Sequence, residues 1–184
     1  QRCYSLSKRR ITLSTSGIVP EIEAITGKTD VSLAISLHAS NDDLRNKIVP
    51  INKKYPIKDL LSSSKKYLES LNSRSYITIE YILISDENDS IEDATNLVNL
   101  LSDIKCKVNL IPFNPFPESE YKRSTDQKVE AFKDYLINHN FIATVRVTRG
   151  DEIDGACGQL VGKLINPVGS KKLKNKQIAV QNLH

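Results

Sequence analysis

The feature that most constrains this chain is a regular alternation of short apolar runs with amphipathic segments. RRITLST (9–15), VSLAISLHA (31–39), YITIEYILI (76–84), KVNLIPF (107–113) and FIATVRVT (141–148) read as strands, rich in β-branched and aromatic residues. Between them, IVPEIEAIT (18–26), IKDLLSSSKKYLESL (57–71), SIEDATNLVNLLSDI (90–104) and STDQKVEAFKDYLINH (124–139) carry apolar residues at helical spacing. Pro20 suits a first helical turn, and Ser90 with Asp93 has the form of a capping box. VSLAISLHA is nearly continuous in its apolar character, as expected of a strand buried on both faces. Strand–helix alternation with short connections predicts βαβ units, and therefore a parallel sheet, open or curled into a barrel.

Parallel α/β folds bind ligands at the carboxyl ends of their strands. Here those ends carry Ser14, Thr15, Ser16 and Gly17; Ser36, Leu37 and His38; Ser85 and Asp86; Asn114; and Arg149 with Gly150. Hydroxyls, one imidazole and one amide suit a polar small molecule better than hydrolysis, because no carboxylate pair or Ser-His-Asp order is present. Each residue also has a plainer reading. His38 can cap a strand end, Asn114 before Pro115 is first of all a turn signal, and Ser14 to Gly17 can be a strand-to-helix turn. No glycine-rich nucleotide fingerprint occurs.

Composition narrows the class. No apolar run is long enough to span a membrane, and the first residues, QRCYSLSKRR, do not resemble a signal peptide. The net charge of +4 is mild, from 26 basic and 22 acidic residues. Basic clusters at Lys8, Arg9 and Arg10 and at Lys171, Lys172, Lys174 and Lys176 suit either a solvated end or a phosphate-binding surface. Cys3, Cys106 and Cys157 are odd in number and widely spaced, which favours a reducing, cytoplasmic setting and gives no metal-ligand spacing. Cys106, opening a strand, reads as core. Cys157 lies between Gly155 and Gly158 in TRGDEIDGACGQL; taken alone it is a small buried hydrophobe.

Four segments in order, RRITLSTSGIVP, AISLHASNDDLRNKIVPINKKYPI, VNLIPFNPFPESEYKRS and VRVTRGDEIDGACGQL, resemble the bacterial radical-SAM adenine-C2 methyltransferases of 23S rRNA, the RlmN type, and their relatives that methylate C8. The likeness runs from about residue 8 to about residue 164. It implies the later βα units of a partial (β/α)6 radical-SAM barrel, spanning 1–165 with a C-terminal strand and loop extension, followed by a loose basic tail over 166–184. It implies S-adenosylmethionine (SAM) held by Ser14, Ser36, Leu37, His38 and Asn114, with no metal ligand in this chain.

Cys157 falls on the family's methyl-carrying cysteine. In that chemistry the thiolate takes a methyl group from one SAM. A 5′-deoxyadenosyl radical, formed from a second SAM at a [4Fe–4S] cluster, then removes hydrogen from it. The product leaves through a disulfide with a second cysteine. The glycine flanks give such a shuttle the freedom it needs, and Arg146 or Arg149 would favour the thiolate. The implied partners are 23S rRNA, with tRNA as a further candidate substrate, and a flavodoxin-like electron donor, for a cytoplasmic monomer.

The family's CxxxCxxC motif, its Gly-Glu stretch for SAM, its N-terminal RNA-binding domain and its resolving cysteine are not among these residues. The expectation is therefore the C-terminal portion of a longer enzyme, inactive alone. The competing readings are a fragment that only binds SAM or RNA, and an unrelated barrel lyase; the latter lacks a strand-tip lysine. A barrel lacking its first strands also predicts an open edge and poor solubility.

Overall fold

The computed structural model describes residues 11–146, apart from 73 and 118. Five strands, β1 (Thr12–Thr15), β2 (Ser32–Ser36), β3 (Ile77–Leu83), β4 (Cys106–Pro112) and β5 (Ile142–Val145), form one sheet in the order β1-β2-β3-β4-β5. Every pairing is parallel. The helices are α1 (Val19–Ile25), α2 (Asp42–Ile48), α3 (Ile57–Glu69), α4 (Ile91–Leu101) and α5 (Asp126–Asn138), with a 3₁₀ turn at Pro50–Lys53.

Sequential order decides the architecture. A right-handed crossover that always steps to the next strand in one direction leaves every helix on the same face of the sheet. A doubly wound sheet instead reverses direction and covers both faces. The strand order is therefore that of a (β/α)-barrel wall. β3 records the consequence: Ile77, Ile79, Tyr81 and Leu83 are fully buried, while Thr78, Glu80 and Ile82 between them are half-exposed.

The covered face holds one core. Leu33, Ile35, Ile79, Val108 and Leu110 from the sheet meet Leu60, Tyr67, Leu97, Leu101, Phe132 and Leu136 from the helices. Tyr81 stacks on Phe132 with ring centroids 5.5 Å apart. Ser90 and Asp93 close a full capping box on α4, as their spacing predicts: the Asp93 amide donates to Ser90 Oγ (3.1 Å) and the Ser90 amide to Asp93 Oδ2 (3.1 Å).

Two details differ from the sequence reading. Only Leu33, Ala34 and Ile35 of β2 are buried, so the strand is covered on both faces only at its centre. The helix α2 lacks an apolar stripe and appears because Asn41 Oδ1 accepts from the Leu44 amide (2.9 Å), with Asp42 and Asp43 in its first turn. The expected C-terminal extension and basic tail lie outside the described residues.

Among the described residues β1 is an open edge, with Ile11 and Leu13 exposed. Unpaired strand edges carrying apolar side chains template association. Leu13→Lys is expected to lower the concentration-dependent light scattering of the isolated chain without changing its far-UV circular dichroism. Unchanged scattering would clear this edge of the blame.

Candidate functional site

The uncovered face of the sheet is layered. Strand pairing puts Ser14, Ala34, Thr78 and Lys107 in one row and Ser36, Glu80, Asn109 and Thr144 in the next. Above these, towards the strand ends, Ile82 pairs with Ile111. A polar floor under an apolar lip, on a face that no helix among the described residues covers, is a lining for a small polar ligand with a flat apolar part.

The first two turns at the strand ends are held by one residue. Arg45 of α2 is fully buried and donates Nε–H to the Leu37 carbonyl (2.9 Å), and Nη2–H to the carbonyls of Ser16 (2.8 Å) and Ser36 (3.1 Å). Its Nη1 donates to Asn52 Oδ1 (2.7 Å). Asn52 in turn donates to Asp42 Oδ1 (2.8 Å), which also takes the Ile57 amide (2.9 Å). Burial works against the guanidinium charge, and Asp42 offsets part of that. The fork thus ties the end of β1 to the end of β2. Gly17 follows at φ +111°, and a Cβ there would stand 3.1 Å from Leu60 Cδ2 and 3.2 Å from Arg45 Nη2.

A second clasp joins β2 to β3. Asn88 donates Nδ2–H to the carbonyls of His38 (3.0 Å) and Ile82 (2.8 Å), and accepts from the Ile84 amide (2.8 Å). The Glu80 carbonyl accepts from the amides of Leu37 (3.0 Å) and His38 (3.2 Å). Asp89, buried, and exposed Asp86 are both bridged by Lys128 of α5, at 3.0 and 2.8 Å. Lys128 thereby pulls Asp86 below the usual carboxylate range.

Against this frame the sequence candidates separate. Ser14 and Ser36 both belong to the uncovered face, on adjacent strands. Thr15 serves the turn, its Oγ1 accepting from the amides of Gly17 (3.1 Å) and Ile18 (3.4 Å). Leu37 puts its side chain in the core, and its amide and carbonyl are both hydrogen-bonded. His38 adopts the left-handed φ of +64°, rare for a residue with a Cβ, with Nδ1 buried and without a hydrogen-bond partner.

Burial and the Arg45 charge lower the His38 pKa from 6.5 to about 4, so the imidazole is neutral at pH 7. The Glu80 carbonyl near the ring offsets part of that shift, but Nδ1 makes no hydrogen bond of acceptable geometry. Asn114, half-buried, follows the end of β4, two strands from β2 and therefore roughly 10 Å away across the sheet. Thr78, Glu80, Lys107, Asn109 and Thr144 are polar residues of this face that strand-end reasoning misses.

No group of metal-ligating side chains occurs among the described residues. Cys106 is free and half-buried, and burial pushes its thiol up to about 12, as a core cysteine. Cys3 and Cys157 lie outside the described residues. A depression of about 550 Å³ opens at the opposite ends of β4 and β5, lined by Val98, Cys106, His139 and Phe141. Its imidazole is held on the Tyr135 carbonyl (2.8 Å), and it is remote from the strand tips. No helix among the described residues is long and apolar enough to cross a membrane.

No family model matches the chain. Over 161 residues, 88% of its length, it is 55% identical to a dual-specificity RNA methyltransferase RlmN of Pseudomonas entomophila. It is 57% identical over 159 residues to the RlmN of a Marinomonas species. The chain belongs to the RlmN-type methyltransferase family. It spans 42% of the Pseudomonas protein and 43% of the Marinomonas one, less than half of either.

Structure agrees with that membership. A radical SAM methyltransferase from Sphaerobacter thermophilus matches with a TM-score of 0.77 and 42% identity, over 84% of this chain and 45% of that one. A domain of a pyruvate-formate lyase-activating enzyme from Bacteroides vulgatus shares only the fold, at 13% identity and a TM-score of 0.57. The expected (β/α)-barrel class stands, and RlmN-type chains are named for RNA methylation.

Proposed function

We propose that this chain is the C-terminal part of a cytoplasmic radical-SAM enzyme that methylates C2 of an adenine in 23S rRNA, and an adenine in tRNA, through a methylated cysteine. The observation that carries the reading is the 55% identity with an RlmN protein over 161 residues, 88% of this chain. The uncovered face fits SAM on its own chemistry. Ser14 and Ser36 put hydroxyls on it, and at the strand ends beside it stand half-buried Asn114 and His38, whose buried Nδ1 has no hydrogen-bond partner. A neutral imidazole can accept or donate there without placing a positive charge beside a sulfonium cation.

In this reading Ser14, Ser36, His38 and Asn114 bind and orient SAM, Leu37 contributes as backbone only, and the Arg45 fork keeps the first two strand ends in register. SAM with a [4Fe–4S] cluster supplies the methyl group and the radical chemistry. The described residues offer no ligands for that cluster, and its holders are expected upstream in the whole protein. The Cys157 thiolate attacks the methyl carbon of SAM; the S–C bond forms as the sulfonium–methyl bond breaks, and S-adenosylhomocysteine leaves. The remaining partners are the RNA, a flavodoxin-like electron donor and the resolving cysteine, for a protein working as a monomer.

The test is the complete gene product, its cluster reconstituted without oxygen, given methyl-labelled SAM, a reductant and 23S rRNA. Mass spectrometry should find the label as 2-methyladenine. Label at C8 would overturn the regiochemistry. No transfer, with the cluster's absorbance intact, would favour a protein that only binds SAM or RNA.

A further inference from the structure

We propose that Glu80 is a SAM-binding residue, its carboxylate accepting N–H or O–H hydrogen bonds from the cofactor within the uncovered face. This rests on the reading of that face as the SAM site. Three observations lead to it.

The first is position. Glu80 pairs with Ser36 on one side and Asn109 on the other, and Asn109 with Thr144, so four polar residues cross four adjacent strands in one row. Neighbouring side chains in such a row stand about 4.8 Å apart, within reach of one small molecule. The second is its missing partner. Glu80 is half-buried, and its carboxylate has no hydrogen-bond or ion-pair partner among the described residues, whereas Asn109 Oδ1 takes the Thr144 hydroxyl (3.3 Å). Lys107 belongs to the row below and sits over the Tyr76 ring, 5.0 Å from its centroid. A polar side chain partly withdrawn from water and without a partner in the fold is one whose hydrogen bonds a ligand can complete. The third is rigidity. The Glu80 carbonyl holds the amides of Leu37 and His38, so this side chain is fixed relative to the Ser36–His38 stretch.

SAM brings three sources of donors, the ribose hydroxyls, the adenine amino group and the α-ammonium. All are met by the same chemistry, two carboxylate oxygens with free lone pairs. Because the Glu80 side chain bonds nothing among the described residues, its amide analogue should leave folding unchanged while removing the charge.

The experiment uses the complete, cluster-reconstituted protein and measures equilibrium binding of SAM and of 5′-methylthioadenosine, which keeps the ribose and lacks the ammonium. Glu80→Gln is expected to weaken SAM about tenfold or more, at unchanged melting temperature, with Glu80→Asp intermediate. Equal weakening of both ligands assigns the adenosine part, ribose or adenine amino group; weakening of SAM alone, with S-adenosylhomocysteine weakened alike, assigns the ammonium. Tight SAM binding unchanged in both variants would overturn the proposal for Glu80. A parent protein that binds no SAM would instead sink the underlying reading of the face. Should Glu80→Gln shift the melting temperature, Asn109→Ser, which alters the same row without touching a charge, decides whether the row binds.

Discussion

Arg45→Ala is expected to remove the cooperative thermal transition of this chain, or to lower its midpoint by well over 10 °C. The substitution strands the carbonyls of Ser16, Ser36 and Leu37 and the amide oxygen of Asn52. A buried acceptor left without a donor costs about 1–3 kcal/mol. The bonds to Leu37 and Asn52 are buried and those to Ser16 and Ser36 partly so; with the cavity left behind they reach a large part of the roughly 5–15 kcal/mol that holds a domain folded. Asp42 would also lose the charge that faces it. Arg45→Lys separates charge from geometry: an ammonium keeps the charge but cannot span the ends of two strands with a planar fork. It should rescue only part of the loss, and the remainder measures the fork. Circular dichroism on dilute protein follows both variants. A midpoint within 2–3 °C of the parent for Arg45→Ala would show that water replaces the guanidinium without cost.

The same residue shows where the sequence was readable and where it was not. Strands and long helices announce themselves through apolar spacing, and residues such as Ile77, Ile79, Tyr81 and Leu83 need no further information to be placed inside. The short α2 defeats that reasoning, because its seven residues include a buried guanidinium that pattern analysis counts as surface. Nothing local reveals that three carbonyls from two other strands converge on Arg45; one of its partners, Ser16, is 29 residues away.

The candidate site divides the same way. Ser14 and Ser36 were reachable from the rule that ligands meet strand ends, and parallel pairing puts both on one face. Leu37 enters with the strand-tip stretch Ser36–His38 that the family resemblance implies; in the fold, strand alternation sends its side chain to the core and leaves its backbone at the tip. Glu80 was visible within ITIEYIL as the one charge in an apolar strand. Its meaning needed the sheet order, since only a face without helices makes a mid-strand carboxylate a lining residue. The left-handed backbone of His38 has no sequence signature at all; it arises from the clasp of Asn88 and the Glu80 carbonyl on the strand end.

Cys157→Ala in the complete, cluster-bearing enzyme is expected to abolish methyl transfer to RNA while leaving SAM affinity within about twofold of the parent. Cys157 lies outside the described residues, so the argument is chemical. Methyl transfer from a sulfonium needs a nucleophile that can attack in line and later surrender a hydrogen from the carbon it has gained. A thiolate does the first readily because a few per cent is already ionised near neutral pH, and neighbouring positive charge raises that fraction. Alanine has no lone pair to offer. Serine has one, but its hydroxyl is a weak nucleophile without a base, so Cys157→Ser should fail as completely. The SAM contacts proposed on the uncovered face do not include this side chain, which is why binding should survive while chemistry stops. Digestion after incubation with methyl-labelled SAM should recover one labelled peptide, containing residue 157, in the parent and none in either variant. Label recovered on RNA from the alanine protein would mean that the methyl group reaches its base by another route, and the glycine-flanked cysteine would revert to a packing residue.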